Sequence, residues 1–290
     1  MTVIDAHLHV WDPTINRHPW LDDEPVLGRP FLPENVDSAL VERVVFVQAD
    51  AADGVAEARW VQSLADAWPQ LAGIVAFAPV EDKHGLSEHL DALTDLPFFV
   101  GVRRLLQDEP QGFITRPPLV AGLQELARRD LPFDACVRWH QLSELEATAK
   151  QTAETRIVLD HLGKPPIAAG LDSDEGRQWS AGLRALAHLP NVSVKLSGLA
   201  PEADPTQPLF PQVEPFAREA LDAFGPDRVL AGSDFPVSAA SNHALGYDEW
   251  FAWIRDALGL TGAELSQVLH GNAARIYTLS SESTTSQENT

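Results

Sequence analysis

The stretch VIDAHLHV, residues 3–10, decides how this chain is read. It is apolar and β-branched apart from one aspartate and two histidines, and it holds no turn residue, the pattern of a strand covered on both sides. Successive side chains of a strand point to opposite faces, so Asp5, His7 and His9 are expected to share one face. Two imidazoles one pleat apart near a strand end can converge on one metal ion or one carbonyl oxygen. The rival reading is a pair of satisfied core histidines. Their spacing, at the end of a strand so close to the N-terminus, favours chemistry.

Working outward, seven more runs of this kind follow: residues 44–48 (VVFVQ), 73–80 (GIVAFAPV), 98–105 (FFVGVRRL), 133–139 (FDACVRW), 156–162 (RIVLDHL), 191–197 (NVSVKLS) and 228–234 (RVLAGSD). Between several of them lie stretches with apolar residues three and four apart, at 57–68, 119–129, 142–152, 182–188 and 213–224. Near-continuous apolar strands alternating with amphipathic helices indicate a parallel sheet. Eight such units predict an α/β fold closed as a (β/α)8 barrel, with an open doubly wound sheet as the alternative. The 290 residues suit one such barrel, which takes about 250. The expected domain spans 1–278, with extra C-terminal helices at 247–258 and 262–277 and a disordered polar tail at 279–290. Residues 12–33, rich in proline, form a long first loop over the barrel mouth.

A net charge of −21 repels phosphate backbones and anionic lipid surfaces, so neither nucleic acid nor membrane is an expected partner. No apolar run is long enough for a membrane span, and the N-terminus lacks a signal-peptide pattern, so a cytoplasmic location is expected. The single cysteine, Cys136, excludes a disulfide framework. Gly-x-Gly-x-x-Gly after a strand, the phosphate-binding P-loop and the Gly-x-Ser-x-Gly elbow are all missing, which argues against a nucleotide cofactor and serine-hydrolase chemistry.

Further chemistry collects at the ends of the later strands. His161 and Lys164 leave the sixth strand in Asp160-His-Leu-Gly-Lys-Pro165, and Asp234 leaves the eighth in Gly232-Ser-Asp-Phe-Pro236. A carboxylate there can take a proton from water or bind metal. Arg103 and Arg104 end the fourth strand, and alternation turns one of them inward, where a guanidinium suits a carboxylate or carbonyl oxygen. His140 is a candidate ligand or proton relay beyond the fifth strand. Lys195, on the seventh, is either an inward charge for substrate or a buried ion-pair partner. Trp11 and Trp20 are candidate pocket walls, and Cys136 is read as packing rather than nucleophile.

Together with Gly101-Val-Arg-Arg104, Val194-Lys-Leu-Ser-Gly198 and Gly271-Asn-Ala-Ala-Arg-Ile-Tyr277, these phrases resemble the amidohydrolase superfamily, within it the amidohydrolase-2 family and its sugar-lactone lactonase branch. The resemblance implies hydrolysis of a small-molecule lactone, of the L-fucono-, L-rhamnono- or muconolactone/pyrone kind, with Asp234 as general base. His7, His9 and His161, with Asp234, would hold a metal or polarise the carbonyl, and Arg103 would bind substrate oxygens. The superfamily's second-metal ligand on strand four is replaced here by Arg103, so at most one divalent ion, zinc or manganese, is implied. A metal-dependent non-oxidative decarboxylase and a non-catalytic binding barrel are the rival readings.

Overall fold

The computed structural model describes residues 2–280. Its strands are β1 (Val3–Leu8), β2 (Val41–Val47), β3 (Leu71–Phe77), β4 (Phe99–Leu105), β5 (Phe133–Cys136), β6 (Ile157–Leu159), β7 (Val192–Leu196) and β8 (Val229–Ala231). They pair in parallel in chain order. Beyond β8 the ring closes on β1: His9 N donates to Phe235 O at 2.7 Å and Asp234 N to His7 O at 2.8 Å. The open-sheet alternative therefore falls, and the fold is a (β/α)8 barrel.

The outer helices are α1 (Gly54–Ser63), α2 (Leu86–Thr94), α3 (Pro117–Arg128), α4 (Leu142–Gln151), α5 (Asp174–Ala187) and α6 (Leu209–Phe224), followed after β8 by α7 (Tyr247–Ala257), α8 (Gly262–Ser266) and α9 (Asn272–Ile276). Their starts follow local chemistry: the side chains of Asp53 and Ser173 cap α1 and α5 by accepting from Ala56 N and Gly176 N. The short α2 was not among the expected helices. The helix expected at 262–277 is interrupted by a wider turn at Gln267–Gly271. No α-helix joins β1 to β2; the proline-rich loop there carries only the 3-10 turns Pro19–Asp23 and Pro33–Asn35. Among the described residues no helix is long and apolar enough to cross a membrane.

Two apolar layers form the core. One lies between strands and helices and includes Val3, Leu8, Val44, Ile74 and Leu123. The other fills the barrel with Ile4, Ala6, Val45, Val47, Val75, Val158 and Leu230, closed by Ile276 and Tyr277. Leu279, where the polar tail is expected to begin, packs on this inner cluster, and residues 281–290 of that tail lie outside the described residues. The inner cluster also corrects the reading of β1. Ile4 and Ala6 face the barrel interior, and the pairing of β1 with β2 slips between Asp5 and Leu8. That slip breaks strict alternation, so Asp5 does not share the face of His7 and His9. Its carboxylate instead accepts from Tyr247 Oη on α7 at 2.7 Å and from Ser233 Oγ at 2.5 Å.

Candidate active site

At the C-terminal end of the barrel one oxygen of Asp234 is surrounded by imidazoles. Its Oδ1 lies 3.5 Å from His9 Nε2, 3.7 Å from His161 Nε2 and 3.9 Å from His7 Nε2. All four side chains are at least nine-tenths buried. The ring of His7 sits 4.9 Å from that of His9 and 4.5 Å from that of His161, centroid to centroid. Asp234 and His161 both have left-handed backbones, with φ of 57° and 54°, strain that a surrounding structure must hold in place. Gly198, at φ 62°, leaves room for His161: a Cβ there would stand 2.2 Å from its Nδ1.

The second imidazole nitrogens set the tautomers. His9 Nδ1 is 2.7 Å from the carbonyl oxygen of Val47, which can only accept, so Nδ1 carries the proton and Nε2 presents a lone pair to Asp234. His161 Nδ1 pairs with Ser197 Oγ at 3.0 Å. Burial pushes the His161 pKa down to about 4, against the attraction of Asp234, so the ring is neutral at pH 7. Burial, helped by Lys195, also takes His7 well below the usual histidine range. Burial by itself would raise Asp234, but His161 and the Ser238 hydroxyl outweigh it and lower the pKa of its carboxyl.

Behind His7 lies a buried polar network. Lys195 Nζ is 3.0 Å from His7 Nδ1, 2.5 Å from Asp134 Oδ2 and 3.1 Å from Asp160 Oδ1. Asp160 also receives Arg103 Nε at 2.8 Å, and Asp134 receives Tyr277 Oη at 2.9 Å. Burial opposes the charge on Asp160, yet Lys195, His7 and Arg103 hold its carboxyl well below the ordinary range. Lys195 is therefore a fully buried ion-pair partner and not a substrate-binding group. Its strand turns it into the barrel behind His7, where Asp134 and Asp160 claim its protons.

The mouth itself is a cavity of about 270 Å³, with His9, His161 and Asp234 on its floor. Trp11, Trp20, Arg103 and Lys164 line it. Trp20 is fixed by its indole N–H to Ala49 O at 2.8 Å, and Arg103 by Nη1 to Gln48 O at 3.0 Å. Arg104, the outward member of the pair, bonds Glu81 and Glu109. His140 is exposed and does not line the cavity. β5 ends at Cys136, and residues 139–141 form a 3-10 turn, so strand alternation no longer governs His140. Cys136 is in the wall, and burial pushes its thiol up, against Arg103 and Lys164, which suits packing rather than attack.

Several wall and network residues escaped the sequence reading: Gln107, Glu202, Asp134 and Tyr277. Glu202 ends a short 3-10 turn after β7, Ala200–Glu202, and no periodic pattern marks it. Its burial raises its pKa, against Lys164 and Arg138.

The donors fit a divalent cation. One ligand atom from each of His7, His9 and Asp234 falls within 4.8 Å of the others, and His7, Asp160 and His161 form a second such group. His7 Nε2 is buried without a partner, and the bare Nε2 of His9 faces the same carboxylate oxygen. The lone pair of His9 Nε2 set against the Asp234 carboxylate is the arrangement a cation relieves.

Residues 4–279 match the profile of a family described as amidohydrolase, and the chain belongs to that family. Within it, the chain is 33% identical over 285 residues to an L-fucono-1,5-lactonase of Burkholderia ambifaria, covering 94% of each chain. It is 23% identical over 230 residues to an L-rhamnono-gamma-lactonase of Scheffersomyces stipitis, covering 71% of this chain and 68% of that protein. A crystal structure of an amidohydrolase from Burkholderia multivorans with bound zinc superposes with a TM-score of 0.83 at 30% identity, over 97% of this chain and 100% of that one.

Proposed function

We propose that this chain is a lactonase that opens a neutral sugar-acid lactone to its hydroxy acid. The observation that carries this reading is the single Asp234 oxygen ringed by three imidazole nitrogens within 3.9 Å on the cavity floor. A carboxylate kept ionised beside neutral imidazoles is a general base, and an activated ester needs little more than a positioned water and a polarised carbonyl.

In this reading Asp234 takes a proton from water as the water oxygen bonds to the carbonyl carbon. His161 orients the lactone carbonyl, and Arg103 binds its neighbouring oxygens. The carbon–ring-oxygen bond then breaks, and Glu202, whose pKa burial raises against Lys164 and Arg138, is the wall carboxyl placed to give a proton to the departing ring oxygen. Asp234 returns its proton to solvent, from which Glu202 is reloaded. A zinc or other divalent ion held by His7, His9 and Asp234, with His161 beside them, would supply Lewis-acid polarisation of the carbonyl.

The charge of the cavity selects among lactones. Its wall carries the carboxylates of Asp50, Asp108 and Asp234 against two cations, Arg103 and Lys164, and Arg103 is already paired with Asp160. A lactone bearing extra carboxylates would meet net repulsion, whereas a polyhydroxy lactone finds hydrogen-bond acceptors. A pH-indicator screen of L-fucono-, L-rhamnono- and related aldonolactones beside dicarboxylated pyrones tests this. Neutral aldonolactones are expected to be hydrolysed at least tenfold faster in kcat/KM. Preference for the pyrones would reverse the substrate class, and release of carbon dioxide from an aromatic acid would restore the decarboxylase reading.

A further inference from the structure

The catalytic cavity has a neighbour. A second cleft of about 340 Å³ opens beside it, and the two share Trp20, Pro201 and Val237 as a common rim. These three residues come from the loops after β1, β7 and β8, so both clefts open at the C-terminal end of the barrel. The rim is fixed where it matters: Trp20 is tied to Ala49 O, and its ring meets Trp11 edge-on at 5.5 Å.

The inner cavity alone falls just short of the roughly 300–1,000 Å³ usual for small-molecule sites, and the two clefts together fall within that range. The outer cleft pairs the Trp20 indole and small apolar side chains such as Ala240 with the polar groups of Asn242 and His243. His243 lies on the cleft wall, where an imidazole can hydrogen-bond a ligand hydroxyl. An aromatic face opposite hydrogen-bonding groups is the chemistry that recognises a sugar ring, which has apolar faces and a polar edge.

We propose that the outer cleft is a second subsite that takes a neutral glycosyl unit attached to the lactone, with Trp20 as its platform and His243 as its hydrogen-bonding anchor. This rests on the lactonase reading of the inner cavity and extends the substrate beyond a single sugar-acid lactone. Binding energy gained by the remote ring would be expressed at the reacting carbonyl.

The test compares an aldonolactone with its O-glycosyl derivatives, one for each ring hydroxyl, on the full chain. At least one derivative is expected to exceed the parent about tenfold in kcat/KM, a difference of about 1.4 kcal/mol. Ala240→Trp fills the outer cleft and should erase that advantage while leaving the parent lactone within about twofold of wild type. His243→Ala should remove most of the advantage through KM. If the parent is hydrolysed and no derivative betters it, or if Ala240→Trp slows parent and derivative alike, the subsite is overturned and the lactonase reading stands. If wild type hydrolyses neither parent nor derivative, the lactonase reading fails first and the subsite goes with it.

Discussion

Lys195 Nζ stands 3.0 Å from Nδ1 of His7, the nitrogen remote from Asp234, so a fully buried ammonium holds the back of an active-site imidazole. The same ammonium neutralises Asp134 and Asp160. Charges without water depend on one another, because removing one partner leaves the others uncompensated. Lys195→Met should therefore destabilise the protein by about 3–5 kcal/mol, read as a fall in the urea midpoint. Adding Asp134→Asn should recover part of that loss. A midpoint unchanged in the single variant would mean that water reaches the network and screens it.

Asp234 and Glu202 divide the proton traffic between a carboxylate held low and a carboxyl held high. Asp234→Asn should lower kcat by about 10²- to 10⁴-fold, the usual worth of a general base, with an unchanged far-UV circular dichroism spectrum. Glu202→Gln should lose less on a poorly activated lactone and almost nothing on one whose ring oxygen leaves as a phenolate. Equal losses on both substrates would remove Glu202 from the proton step.

The buried imidazoles set the response to acid. His161 titrates at about 4 in the folded chain, below its ordinary value of 6.5. Activity should stay level as pH falls through the normal histidine range and decline below about pH 5, as His161 and then Asp234 gain protons. Stability has a matching sign. A depressed histidine pKa contributes stability that is whole above 6.5 and is lost as pH falls toward 4, because the unfolded chain binds the proton first. Thermal melts from pH 7 to pH 4 should show a progressive fall, and a flat profile across that window would contradict the neutral assignment.

Gly198 gives the most local test. A methyl group there would strike the His161 ring and sit at a positive φ that L-residues avoid. Gly198→Ala should cost about 1–2 kcal/mol of stability and far more in kcat, because the ring must swing away from Asp234. A variant with full turnover would show that His161 need not hold its present place.

Metal occupancy can be read without an assay. Equilibrium dialysis of wild type against zinc should give one ion per chain, and His9→Ala and Asp234→Asn should each weaken it by tenfold or more. Retention of zinc in both variants would move the ion to the group of His7, Asp160 and His161.

Much of the fold was legible because its signals are local. Hydrophobic runs of the right length mark all eight strands, though β6 and β8 are only three residues each, far shorter than the runs that announced them. Their flanking residues are apolar but leave the ladder to form the catalytic turns at His161 and Asp234. His7, His9, His161 and Asp234 were visible because polar residues at the end of an apolar strand stand out. Asp160 and Asp134 were not singled out, since a lone carboxylate in a strand acquires meaning only when Lys195 or Arg103 arrives from another strand.

The sequence by itself determined the alternation of strand and helix and the positions where chemistry leaves the strands, because both depend on neighbours within a few residues. Closure of the ring decided the rest. It turned Lys195 from a candidate substrate ligand into the buried counterion of two aspartates, left His140 on the surface, and put Glu202 on the cavity wall. The slip in β1 likewise separated Asp5 from His7. Which face a side chain takes, and which charge it meets, follow from contacts between segments far apart in the chain, and local pattern carries no record of them.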